Sequence, residues 1–112
     1  MKIIDEVLLD EFRTTPRCEW CGRATPGGCE PHHVFARGRS DGFRLDIRIN
    51  LLALDRWCHD RAHVGKISRK QLLAIIARRE RRPVEEIELE ILRLRWAPKC
   101  KQVARGSRSA SE

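Results

Sequence analysis

Between Lys2 and Phe12 the apolar residues Ile3, Ile4, Val7, Leu8 and Phe12 are interleaved with Asp5, Glu6, Asp10 and Glu11. That is the stripe of a short amphipathic helix with acids on its outer face. Thr14-Thr15-Pro16 ends it, because the residue before a proline is pushed out of helical geometry. Thr25-Pro26-Gly27-Gly28 reads as a turn and leads into a strand from Cys29 or Glu30 to Phe35. From Phe43 to Ile49, apolar Phe43, Leu45, Ile47 and Ile49 alternate with Arg44, Asp46 and Arg48. This predicts a half-buried strand with its basic residues on the open face. The apolar run Leu51–Leu54 then links this strand to a helix that begins near Asp55 or Arg56 and is closed by Gly65.

Ser68 is a good N-cap for a second amphipathic helix carrying Leu72, Leu73, Ile75 and Ile76, with Arg69, Lys70, Arg78 and Arg79 on its polar face. Pro83 starts a third, with Glu85 and Glu86 in its first turn and Ile87, Leu89, Ile91, Leu92 and Leu94 as its apolar positions. These two form a helical hairpin that supplies core to a small central motif. The class is therefore α+β. One domain covers residues 1–97, with a core motif at 18–63 and a helical extension at 68–96. The serine-rich, basic stretch 98–112 reads as a disordered tail, and Cys100 within it as a free thiol.

Composition narrows the class. A chain of 112 residues has room for one modest core, and 35% charged residues leave most of it as surface. The net charge of +7 points to a polyanionic partner. Residues 17–82 carry fifteen Lys and Arg against seven Asp and Glu, whereas 83–97 carry two against four, so the positive charge surrounds the central motif. There is no long apolar run and no signal-like start, which predicts a cytoplasmic protein without a membrane partner. Five cysteines in a reducing compartment are better suited to metal than to disulfides.

The candidate chemistry lies between Cys18 and His63. Cys18-Glu19-Trp20-Cys21-Gly22 is a tight turn of the kind that puts two thiolates on one zinc, and Cys58 is a distal partner for it. His59 and His63, four apart on a helix, project from one face about 6 Å apart at Cβ, which suits two ligands of one ion. Adjacent His32 and His33 diverge on a strand, so one can join that ion while the other acts as a base. Asn50 could orient the base by accepting its other ring N–H. Cys58 and His59, about 100° apart around the helix, should face the zinc turn and the histidine site respectively. Arg37 and Arg39, in a basic loop with two glycines, are candidates to grip a phosphate backbone.

In this order and framing, His32-His33, Asn50, His59 and His63 with Cys18, Cys21 and Cys58 resemble the HNH nucleases over roughly residues 18–63. The resemblance implies a ββα-metal core stapled by a zinc knuckle. It assigns His32, with His59 and His63, to a catalytic divalent ion and His33 to the general base. That ion would be Mg²⁺ or Mn²⁺, although an all-imidazole site binds Ni²⁺ or Zn²⁺ more tightly. Where the family pattern usually has a cysteine three residues before Cys58, this chain has Asp55. The fourth ligand of the structural zinc is then Asp55, with Cys29 as the alternative. The implied activity is hydrolysis of DNA phosphodiesters, nicking duplex DNA, with single-stranded DNA as a further candidate substrate, at low sequence specificity, since one short basic loop reads few base edges.

Two other readings fit parts of the pattern. In a non-catalytic zinc-ribbon nucleic-acid-binding module, His59 or His63 would complete a zinc site with Cys18, Cys21 and Cys58, leaving His32, His33 and Asn50 without a role. In an antitoxin-like helical interaction protein the cysteines would be incidental and no stoichiometric zinc would be held.

Overall fold

The computed structural model describes residues 2–35 and 44–95. The predicted positions Arg37 and Arg39, the tail from 98 and Cys100 lie outside them. The described chain is α+β, with four helices and two two-stranded sheets: β1 (Lys2–Ile3), α1 (Glu6–Arg13), β2 (Glu30–His33), β3 (Arg44–Leu45), β4 (Leu51–Leu54), α2 (Arg56–His63), α3 (Arg69–Glu80) and α4 (Val84–Arg95). None of these helices is long and apolar enough to cross a membrane.

The functional half rests on β2 and β4, which pair antiparallel in the register Glu30↔Leu54, Pro31↔Ala53, His32↔Leu52 and His33↔Leu51. Residues opposite one another share a face and successive residues alternate. Pro31, His33, Leu51 and Ala53 therefore face one way, and Glu30, His32, Leu52 and Leu54 the other. On the first face Leu51 and Ala53 pack with Cys29 and with Leu9 and Phe12 of α1. On the second, Leu52 and Leu54 join Cys58 of α2, Leu72, Leu73 and Ile76 of α3, and Ile87 and Ile91 of α4. Covered on both sides, all of β4 is inaccessible to solvent. A continuous apolar run is what such a strand needs. Each large side chain buried in these layers contributes roughly 1.5–3 kcal/mol.

This corrects two sequence expectations. Leu51–Leu54, read as a link to the helix, is itself the strand that partners β2, and the strand expected over Phe43–Ile49 does not form at that length. In the latter segment only Arg44–Leu45 is paired as a strand among the described residues, and Arg48–Asn50 forms a 3₁₀ turn. The alternation was real but only half informative. Asp46, placed on the open face by pattern, is buried, because its carboxylate is enclosed by nitrogen donors. At the N-terminus, Lys2–Ile3 forms a strand parallel to β3, and the helix starts only after Asp5, whose side chain accepts the Leu8 N–H as N-cap. The buried face of α1 is Leu9 and Phe12, while Val7 is 75% exposed.

The remaining elements follow the pattern. Ser68 and Gln71 form a reciprocal capping box at the start of α3. Gly65 ends the α2 region at φ +84. Gly28 matters for a different reason: at φ +93 it lies against the carbonyl oxygen of Arg13, where no Cβ fits. The next N–H, that of Cys29, donates to that same oxygen at 2.9 Å, which docks the start of β2 onto the end of α1. Arg79 is not on the polar face expected of it. It turns inward to donate to both carboxylate oxygens of Glu19 at 3.0 Å and to the carbonyls of Leu51 and Arg48. Glu19 also accepts the Ala53 N–H and donates its own N–H to the Ala53 carbonyl. The cysteine turn is thereby fastened to β4 and α3.

Candidate metal centres and a histidine–carboxylate pair

Among the described residues, two clusters of metal-ligating side chains form, each drawing on α2 or its N-cap. Donor atoms of His32, His59 and His63 lie within 4.8 Å of one another, as do those of Cys18, Cys21, Asp55 and Cys58. The clusters are separate because Cys58 points into the core while His59 and His63, one and five residues on, leave the helix on another face.

The histidine cluster is built by strand alternation and helix period together. His32 reaches it from β2, on the face toward α2, and the i, i+4 pair reaches it from α2. The His59 and His63 Nε2 atoms are 3.2 Å apart. Two nitrogens bound tetrahedrally at about 2.0–2.1 Å to one ion stand about 3.3 Å apart, so the spacing fits a shared ion. Burial, and then the neighbouring rings of His59 and His63, push His32 down to about 4. It is therefore neutral near pH 7, with a lone pair available for a cation. Glu30 Oε1 sits 2.6 Å from His59 Nδ1. A carboxylate accepts there, so the ring carries its proton on Nδ1 and presents Nε2 to the cluster. Glu30 escaped the sequence reading, although its place two residues before His32 on a strand already put it on the same face.

The cysteine cluster uses Asp55 twice. Its Oδ1 accepts the Cys58 N–H at 2.7 Å, capping α2, and its Oδ2 lies 3.2 Å from Cys21 Sγ. The turn before it is closed by the Gly22 N–H to the Cys18 carbonyl, with Gly22 at φ +76. Burial and the neighbouring Asp55 and Cys18 push the Cys58 thiol far up. Three sulfurs and a carboxylate at one point can all be anionic only with a cation among them, and the donor set suits zinc. Cys29 is not in this cluster. It is buried against α1 and its sulfur is 3.3 Å from the Thr25 hydroxyl. Neither His59 nor His63 joins the cysteines, as the zinc-ribbon reading would have required.

His33 leaves β2 on the face opposite His32. Asn50 does not orient it, contrary to the sequence expectation. The Asn50 amide is fully buried: its oxygen accepts the Phe35 N–H at 2.8 Å, and its nitrogen donates to the Phe35 and Leu45 carbonyls at 3.2 and 3.0 Å. It ties Phe35 to Leu45 through backbone groups, and both of its N–H hydrogens are taken. The ring's partner is Asp46, with 2.7 Å between His33 Nε2 and Asp46 Oδ1. Asp46 also accepts from Arg44 Nε and Nη2 at 3.0 and 2.9 Å and from the Asp5 N–H at 2.9 Å. Burial alone would raise its carboxyl, but these donors hold it below the usual carboxylate range. No local sequence signal marks the pair, since the two residues are thirteen apart and meet only in the fold.

Comparison of the chain with protein-family models, with curated proteins and with solved structures finds no match.

Proposed function

We propose that the chain is a divalent-metal-dependent endonuclease that hydrolyses DNA phosphodiesters, with β2, β4 and α2 serving as the ββα-metal core of an HNH-type site. One observation carries this reading. Three imidazoles from a strand and a helix converge on one point, and the very next residue after the strand ligand is a fourth imidazole backed by a buried carboxylate. A structural zinc needs nothing of that second arrangement.

An ion held by His32, His59 and His63, Mg²⁺ or Mn²⁺ in function, would supply Lewis-acid stabilisation to a phosphate oxygen and to the departing 3′-oxygen, with open coordination positions left by three protein ligands. His33 takes a proton from the attacking water as its oxygen bonds to phosphorus. The P–O3′ bond breaks and the departing oxygen takes its proton from solvent. Glu30 keeps His59 in the tautomer that turns Nε2 to the cluster. Cys18, Cys21, Cys58 and Asp55 would hold a zinc that braces the start of α2, and with it the direction in which His59 and His63 project. Arg37 and Arg39 fall in sequence directly after β2 and are assigned to the phosphate backbone.

The test is conversion of supercoiled plasmid to open circle in Mn²⁺. The wild-type chain nicks, chelation stops it, and His33→Ala lowers the rate by roughly 10²–10⁴-fold. Equal nicking by that variant, or no nicking by the wild type with any divalent ion, overturns the reading in favour of a metal-stapled binder.

A further inference from the structure

Each oxygen of the Asp46 carboxylate faces two nitrogens. Oδ1 takes His33 Nε2 and Arg44 Nε; Oδ2 takes Arg44 Nη2 and the Asp5 backbone. Its side chain has no solvent contact. Arginine and a backbone amide can only donate. Three of the four facing nitrogens can only donate, and the Arg44 guanidinium pairs with both oxygens, so the group is an anion that only accepts. The facing nitrogen of His33 must then carry the hydrogen.

From this geometry we infer that Asp46 is a positioning residue for His33, fixing the neutral ring with its proton on Nε2 and its lone pair on Nδ1. The inference deepens the nuclease reading, because the atom left to take a proton from water is then Nδ1. Arg44 and the Asp5 N–H hold the carboxylate in turn. The parallel pairing of Lys2–Ile3 with Arg44–Leu45 is what brings Asp5 to it, and Arg44 also lies 3.8 Å from Glu6. The N-terminal segment is thus part of the support behind His33, which gives β1 a purpose that two residues of sheet would not otherwise have.

The arrangement does not tolerate an amide. In Asp46→Asn, an NH₂ group placed on the Oδ2 side would face two donors. Placed on the Oδ1 side, it would face Arg44 Nε and would donate to His33 Nε2, moving the ring proton to Nδ1. The variant should therefore lose the tautomer that the wild type holds.

The experiment is a long-range ¹H–¹⁵N correlation spectrum of the zinc-loaded, full-length, ¹⁵N-histidine-labelled chain, recorded at alkaline pH. The expected result is a wild-type His33 protonated at Nε2. In Asp46→Asn the population shifts to Nδ1–H, and plasmid nicking falls roughly 10–100-fold while Mn²⁺ affinity is unchanged. A wild-type ring protonated at Nδ1, or an even mixture of tautomers, overturns the inference without needing any variant to fold. An unchanged His33 tautomer in a folded Asp46→Asn chain overturns it as well. If the wild type shows the Nε2–H ring but nicks no DNA, the tautomer lock stands and the nuclease reading fails.

Discussion

Glu30 Oε1 lies 2.6 Å from Nδ1 of His59, and the other nitrogen of that ring lies 3.2 Å from Nε2 of His63. One carboxylate on β2 therefore decides which way a ring on α2 offers its lone pair. Replacing Glu30 with Gln keeps the size and leaves the ring free to take either tautomer. Affinity for Mn²⁺ or Ni²⁺ at the histidine cluster should fall roughly 10–100-fold, measured by competition with a chelating dye, with little change in thermal stability. Unchanged affinity would contradict the role given to Glu30.

His32 sets a pH dependence. Burial and the adjacent His59 and His63 rings push it to about 4, against about 6.5 in an unfolded chain. Between these values the unfolded state binds more protons than the folded one, so stability rises with pH across that window and is lost as pH falls through it. The loss approaches roughly 3 kcal/mol near pH 4. Urea unfolding of the chain with no ion at the histidine cluster should show this loss in the wild type and not in His32→Gln. Parallel pH profiles for the two proteins would contradict it.

Asp55 separates two contributions that cysteine could not combine. Asp55→Asn keeps an oxygen to cap Cys58 N–H but removes the anionic donor facing Cys21. Zinc affinity should fall while α2 keeps its cap. Asp55→Ala loses both, and should cost about 1 kcal/mol more in stability. Cys18→Ser should release zinc and with it most of the folded chain, since metal binding at such a site is coupled to folding. Zinc content and melting temperature, read together, check all three variants. Retention of stoichiometric zinc by Cys18→Ser would remove the cysteine cluster as a metal site.

Arg79 should matter for stability although it is a member of neither cluster. Its guanidinium joins Glu19 to the carbonyls of Leu51 and Arg48 and lies 5.4 Å over the Phe12 ring. Arg79→Ala strands Glu19 and two carbonyls. It should destabilise by on the order of 3 kcal/mol in a denaturant titration. A change within a few tenths would mean that the clamp contributes little.

The cysteine turn, the i, i+4 histidines, the N-cap at Ser68 and the α3–α4 hairpin were legible because spacing of nearby residues determines them. The fourth cysteine-cluster ligand was legible only as a choice between Asp55 and Cys29, and the fold decides it through the position of Asp55 at the helix start. Three things were not legible. Alternation over 43–49 set Asp46 on the open face, and nothing near it in sequence says that Arg44, Asp5 and His33 close over it. Asn50 was expected to hold a ring because its chemistry permits it, whereas buried backbone groups at Phe35 and Leu45 claimed it first. Arg79 looked like surface charge on helical period alone, and only the arrival of Glu19 from sixty residues away turns it inward.

The most direct measurement is anomalous scattering at the manganese edge from crystals of the zinc-loaded chain grown with Mn²⁺. The account predicts one manganese peak bonded to a ring nitrogen each from His32, His59 and His63 at roughly 2.0–2.3 Å, and zinc among Cys18, Cys21, Cys58 and Asp55. Density for manganese elsewhere, with the three imidazoles empty at saturating Mn²⁺, would contradict it.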